Sequence, residues 1–267
     1  MPNRSHKKDK ANEFSLIPQS KLLELYSWTV RCRLLGELLE GVPQAVPPRD
    51  LEAAAVAVCL DLKPGDEVVS VDCEFLPAFV RHRKLDAALG ALREPAASVA
   101  ARMNEVLAAA RQAKQANAGS LVAVFGAGRV ARSTAWKNAL RAANSETLPV
   151  ILVHILDAEA EASGHDEHGF PAIPADVHDV VALYRVAAES FAHARHGHGA
   201  TLIECIPWAL EGEEHNDAVL NFERFLAARG IATERTRAAV KAGFARSVRQ
   251  AASSARLRAT PRRFRRA

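Results

Sequence analysis

The stretch 120–157 constrains the fold of this chain more than any other part of the sequence. It opens with a short, uninterrupted apolar run, which is typical of a strand buried on both faces. A glycine turn at 126–128 follows, then an amphipathic stretch, and then a second apolar run that ends at Asp157. This order predicts two strands joined by a glycine turn and a helix, the unit from which parallel sheets are built.

The glycine turn is the candidate functional site of this unit. Its backbone amides and the start of the next helix would favour an anion, and an acidic side chain ends the following strand. We therefore take Gly126, Ala127, Gly128 and Arg129 as candidate cofactor-binding residues, and Asp157 as a candidate cofactor and metal ligand. The pattern assigns no catalytic residue. A simpler interpretation stays open, in which the glycines only allow a helix to pack closely on a strand.

The same residues also match a dinucleotide-binding fingerprint. The segment from Gly126 to Ala131 reads G-x-G-x-x-A between a strand and a helix, and Asp157 would then bind the adenosine ribose. That fingerprint usually opens a series of strand–helix units, whereas here it follows more than a hundred mostly helical residues. An NAD(P)-binding Rossmann protein is kept as an alternative.

Helical and strand patterns alternate along the chain. This alternation predicts an α/β fold with a mostly parallel sheet and helices on both faces. With 267 residues, 49% of them hydrophobic, the chain is long enough for one large domain. We expect a flexible N-terminal segment over 1–19, one domain over 20–255 and an arginine-rich tail over 256–267.

Several element boundaries are predicted from local signals. Ser20 is the expected N-cap of the first helix. The amphipathic stretch after the glycine turn predicts one helix over 130–144, and a loop is expected over 158–176. Either Asp176 or Asp179 is expected to start the helix that follows this loop.

The charge pattern bears on partners and location. Six arginines after Ser254 exceed the net charge of +4, so the rest of the chain is slightly negative and only the tail is basic. Without a recognisable binding fold, the tail does not indicate a nucleic-acid-binding protein. The chain has no apolar run of about 18 residues and no secretory signal, so we expect no membrane association and a cytoplasmic location.

The cysteines, the tryptophans and one histidine are expected to have structural roles. His154 lies inside the second apolar run and is expected to be a core residue. The tryptophans are expected to anchor packing: Trp28, Trp136 and Trp208. The cysteines lie far apart without a CxxC pair, which predicts buried free thiols rather than disulfides or zinc ligands: Cys32, Cys59, Cys73 and Cys205.

A series of segments between Lys21 and Cys205 points to a known family. In chain order they are LLELYSWTVRCRLLGELLEG, LEAAAVAVCLDLKPGDEVVS, VAVFGAG with AWKNALRAAN, LPVILV, and HGFPAIPADVHDVVALYRVAAESFAHARHGHGATLIEC. Their order resembles the alpha subunit of thiamine-diphosphate-dependent 2-oxo acid dehydrogenases of the pyruvate dehydrogenase type. The resemblance implies the thiamine-diphosphate-binding fold.

The resemblance also implies which residues would meet the cofactor. In the family, a Gly-Asp-Gly turn and an Asn-Asn pair hold magnesium and the cofactor diphosphate. Here Ala127 stands at the aspartate of that turn, and Asp157 stands at the second asparagine, where it remains a candidate metal ligand. His215 is only an approximate counterpart of the family's active-site histidine. Thiamine diphosphate and magnesium are thus the implied cofactors, with weakened or lost binding.

The function implied by the resemblance is that of an alpha-subunit-like protein. The family's activity is the oxidative decarboxylation of a 2-oxo acid, which we expect to be weakened or lost in this chain. Because family members assemble as heterotetramers, the implied partners are a beta-type dehydrogenase subunit or further copies of this chain. A non-catalytic assembly partner is the first alternative, and the Rossmann protein is the second.

Overall fold

The computed structural model describes residues 17–40, 42, 51–71, 75–92, 97–156, 172–208 and 217–259. The described helices are α1 (Gln19–Leu38), α2 (Leu51–Cys59), α3 (Phe75–His82), α4 (Leu85–Ala91), α5 (Val99–Ala116), α6 (Gly128–Ala131), α7 (Thr134–Ser145), α8 (Val180–Arg195), α9 (Ala218–Ala228) and α10 (Glu234–Ala259). The described strands are β1 (Glu67–Ser70), β2 (Val122–Ala127), β3 (Val150–Ile155), β4 (Ala172–Asp176) and β5 (Thr201–Ile206).

The described strands form one parallel sheet in the order β1-β2-β3-β5-β4. Every residue of β3 and β5 is buried, because helices cover both faces of the sheet. On one face, α3 and α8 contact the strands, and α1, α2 and α9 belong to the same buried cluster; on the other face, the cluster includes α5 and α7. The predicted α/β fold with a parallel sheet and helices on both faces is confirmed.

Capping side chains determine where several helices begin. The Asp179 carboxylate accepts hydrogen bonds from the second and third residues of α8, so Asp179 rather than Asp176 starts this helix. The predicted N-cap at Ser20 is wrong. The first helix begins at Gln19, and Pro18 stands at the N-cap position without a capping side-chain hydrogen bond.

Two predicted segments differ from the structure. The residues Ala172–Asp176 form the edge strand β4, so the predicted loop over 158–176 is wrong at this end, and its part over 158–171 lies outside the described residues. This strand was not predicted because it contains Pro174, and proline is rare in strands except at sheet edges, where β4 lies. The predicted helix over 130–144 is divided into α6 and α7, since the Ser133 side chain accepts the backbone N–H of Trp136 and starts a new helix.

The amino ends of the strands are joined by a buried ion pair. Arg195, the last residue of α8, donates to both carboxylate oxygens of Asp66 over 3.0 and 2.6 Å. The same carboxylate accepts the backbone N–H groups of Lys63 and Leu121, at the starts of β1 and β2. Asp66 therefore fixes two strands and one helix at this edge, and the Lys-Pro-Gly-Asp turn has a structural role.

The predicted structural roles of the cysteines and tryptophans are mostly confirmed. Cys32, Cys59 and Cys205 are buried free thiols, whereas Cys73 lies outside the described residues. Burial raises the pKa of the Cys205 thiol, which keeps it protonated and unreactive. Trp28 and Trp136 are buried, but Trp208 is 49% exposed, so its predicted role as a packing anchor is wrong. No helix in the described ranges is both long and apolar enough to cross a bilayer.

Candidate functional site

The glycine turn lies at the carboxyl end of β2, in the interior of the sheet. The strand extends through Gly126 and Ala127, and Gly128 begins the single helical turn α6. Gly128 has a φ of +45°, which glycine adopts without the strain that a side chain would add. Parallel α/β folds place ligand sites at this end of their strands. The sequence thus predicted the location of the turn correctly, and Arg129 is exposed beside it.

Packing of a helix explains the first glycine. A Cβ atom at Gly126 would lie 2.6 Å from Cζ3 and 2.9 Å from Cη2 of Trp136, which is too close for carbon atoms. Trp136 belongs to α7 and is fully buried against this face of the sheet. Gly126 is therefore required because the Trp136 indole lies against the strand, as the simpler interpretation of the turn predicted.

Two buried polar side chains follow the glycine across the sheet, one on β3 and the next on β5. The parallel register aligns Gly126 with His154 of β3, and His154 with Glu204 of β5. His154 is 5% exposed and Glu204 is 1% exposed, and the ring centroids of His154 and Trp136 are 6.4 Å apart. His154 is buried as predicted. Its position beside Glu204 was missed, because strand register depends on residues far apart in sequence.

An aspartate–histidine pair at the carboxyl end of β4 was also missed. An Asp176 carboxylate oxygen accepts the backbone N–H of His178 over 2.9 Å and lies 3.1 Å from Nδ1 of its ring. His178 is buried, so this contact holds the ring in one orientation. The sequence signal was the pattern Asp-x-His after a strand, but this strand was itself mistaken for a loop.

The described residues of this end do not fit a magnesium–diphosphate group. Magnesium needs several oxygen ligands, and Ala127, at the centre of the turn, has only a methyl group as its side chain. Within the described ranges, no group of three or more histidine, cysteine, aspartate or glutamate side chains is placed to hold a metal ion. The predicted metal ligand Asp157 lies outside these ranges, and so does His215. Leu156, which precedes Asp157, donates its backbone N–H to the carbonyl oxygen of Cys205 in β5.

Two cavities in the described part of the chain lie away from the glycine turn. A cavity of about 520 Å³ is lined by residues of β1, α3 and α4 and by Arg102 of α5. A second cavity of about 260 Å³ lies between α1, the start of α9 and α10. Neither cavity is lined by any residue of the turn, so the candidate cofactor-binding residues do not open into either space.

Comparison with solved structures relates the fold to a known enzyme. The transketolase from Leishmania mexicana is similar, with a TM-score of 0.53 and 13% sequence identity; the match covers 86% of this chain and 45% of the transketolase chain. This chain therefore spans less than half the length of that structure. The likeness confirms the expected fold class, an α/β fold of the thiamine-diphosphate-binding type, and at this identity it shows the fold alone. No protein-family model and no curated protein matches the sequence.

Proposed function

We propose that this chain is a 2-oxo acid dehydrogenase alpha-subunit-like protein of the pyruvate dehydrogenase type whose family activity is weakened or lost. Its role in this proposal is to assemble with a beta-type subunit. The ordered sequence segments support the alpha-subunit relationship, and the transketolase likeness supports a fold of the thiamine-diphosphate-binding type.

The observation that carries the proposal is the alanine at the centre of the glycine turn. Ala127 ends β2 in the interior of the sheet, where the resembled turn would place a metal-binding carboxylate. A methyl group cannot bind magnesium, and without the ion the cofactor diphosphate loses its main charge partner. Thiamine diphosphate supplies the carbanion chemistry of such enzymes, so weak binding of the cofactor means weak or absent decarboxylation.

The fold does not depend on the cofactor site. The two apolar faces of the sheet are covered by helices of this chain, and Trp136 closes the space over Gly126. Burial of this apolar surface stabilises the structure without a ligand. A surface that binds a partner can therefore be preserved although the site has lost its metal ligand.

Co-expression with a beta-type 2-oxo acid dehydrogenase subunit tests this proposal. We expect the two chains to co-purify as a stable complex. We expect the complex to show no decarboxylation of pyruvate above background when thiamine diphosphate, magnesium and an artificial electron acceptor are supplied. Failure to co-purify would refute the assembly role, whereas magnesium-dependent decarboxylation would refute the loss of activity.

A further inference from the structure

We propose that a second copy of this chain docks on a patch formed by α1, α9 and α10. We call it the leucine patch, and it consists of the cavity of about 260 Å³ with its apolar and charged rim. Its defining residues are Leu34, Glu37, Leu38, Leu220 and Lys241. The proposal concerns the surface of the helical layer and does not depend on a cofactor or on a beta-type subunit.

Two leucines of the patch line the cavity, and a third lies on the same face of α1. On α1, Leu34, Glu37 and Leu38 are separated by three and four residues, so they share one face of the helix. Leu34 and Leu220 line the cavity, and Leu38 extends the same face by one turn. Leu38 is 47% exposed and Leu220 is 45% exposed, which is unusual for large apolar side chains of this chain. Burial of these exposed leucines against a partner would remove apolar surface from water and so favour association.

Ion pairs within the chain hold part of the cavity wall in place. Arg33 donates to Glu52 over 3.0 Å and to Asp217 over 2.6 Å, which joins α1 to α2 and to the start of α9. On α10, Arg237 bonds Glu223 of α9 over 3.0 Å. The charges of both arginines are therefore compensated inside the chain, and the wall is organised before any partner binds.

The two remaining charges of the patch identify the partner. Glu37 and Lys241 are exposed and line the same cavity, yet neither makes an ion pair with any residue in the described ranges. A patch with one uncompensated acid and one uncompensated base is complementary to itself. In a two-fold dimer, each contact between two residues occurs twice, so Glu37 of each copy can face Lys241 of the other.

A second copy fits these charges better than a partner of a single sign. An acidic partner would leave Glu37 opposed by a like charge, and a basic partner would do the same to Lys241. The leucines of the two copies would meet between the charge pairs, so that apolar area is buried at the centre and the charges lie at the rim. This is the usual arrangement of protein interfaces.

Analytical ultracentrifugation of the purified full chain tests the proposal. We expect a concentration-dependent equilibrium between monomer and dimer within about 1–200 µM, the range of a modest interface. Glu37→Lys and Lys241→Glu should each weaken the dimer by about tenfold or more, because each places like charges opposite one another. The double variant Glu37→Lys/Lys241→Glu should restore the dimer, since both charge pairs then form with reversed polarity.

Matched charge changes elsewhere control for the net charge. Glu189→Lys on α8 and Lys84→Glu before α4 change the charge of exposed residues outside the patch and should leave the dimer unaltered. All four positions are exposed, so unchanged circular dichroism and melting temperature would establish that the variants fold. A monomer throughout the concentration range would overturn the proposal, and so would a dimer that the double variant fails to restore. If the wild-type chain is monomeric and the two patch variants instead weaken the beta-type complex, the occupant is that subunit and not a second copy.

Discussion

At Gly126, the absence of a side chain allows Trp136 of α7 to pack directly on strand β2. The six-membered ring of Trp136 occupies the space that a Cβ atom would take. The indole N–H of Trp136 is buried and has no hydrogen-bond partner among the described residues, so the ring is held by shape and apolar contact. The glycine and the tryptophan form one packing unit, ten positions apart in sequence.

Adding the methyl group should therefore destabilise the fold. We expect Gly126→Ala to lower the free energy of unfolding by about 1–3 kcal/mol, because overpacking forces the ring or the strand to move. In a Trp136→Phe background the smaller ring leaves room, so the additional loss from Gly126→Ala should be smaller. Urea unfolding of the two single variants and the double variant measures this difference.

A glycine with open space around a Cβ atom provides the control. Nothing lies within 4 Å of a Cβ atom built at Gly90 in α4, so Gly90→Ala should leave the stability unchanged or raise it slightly. If Gly126→Ala proved as harmless as Gly90→Ala, the contact with Trp136 would not explain the glycine.

At the scale of elements, Asp217 links the start of α9 to the first two helices. Its carboxylate accepts the N–H groups of Val219 and Leu220 and an Arg33 N–H, and Arg33 also binds Glu52 of α2. Burial alone would raise the pKa of Asp217. The hydrogen bonds from Arg33 and Leu220, and the positive charge of Arg33, outweigh burial and lower this pKa below its usual value.

This lowered pKa gives a defined dependence of stability on pH. A carboxyl group with a lower pKa in the folded state stabilises the fold fully above its unfolded pKa of about 3.9, and this contribution is lost as the pH falls through the folded pKa. Asp217→Asn keeps a capping side chain but removes the charge. We expect it to cost about 1–2 kcal/mol at pH 7 and progressively less below about pH 4.

Chemical denaturation of the wild-type chain and of Asp217→Asn between pH 2 and pH 7 measures this effect. Asp179 caps α8 in the same way but makes no ion pair with an arginine among the described residues, so Asp179→Asn provides a comparison. A stability difference for Asp217→Asn that stays constant across this range would show that the Arg33 contact does not lower the pKa.

At the scale of the whole molecule, much of the fold could be predicted from local pattern, and the site only in part. Buried strands such as β3 and β5 are mostly apolar runs, so their alternation with helices indicated a parallel sheet. The edge strand β4 was not predicted, because it contains Pro174 and is only partly buried. The alignment of His154 with Glu204 could not be read either, since strand pairing is set by the tertiary structure.

The glycine turn and the leucine patch lie in different regions of the molecule. The carboxyl end of β2 carries the glycine turn, in which no residue from Gly126 to Arg129 has a side-chain oxygen that could bind magnesium. The helices α1, α9 and α10 carry the leucine patch, on which we propose that a second copy of the chain docks. Under our two proposals, the chain would have weakened cofactor chemistry and kept its assembly surfaces.

The most direct test of the central claim is isothermal titration calorimetry of the purified full chain with thiamine diphosphate, with and without magnesium. We expect no magnesium-dependent binding, because the Ala127 side chain offers no oxygen ligand to magnesium. A parallel titration with NAD distinguishes the Rossmann alternative, which would be supported by binding of NAD alone. Tight binding of thiamine diphosphate that requires magnesium and is lost in Asp157→Ala would contradict the claim.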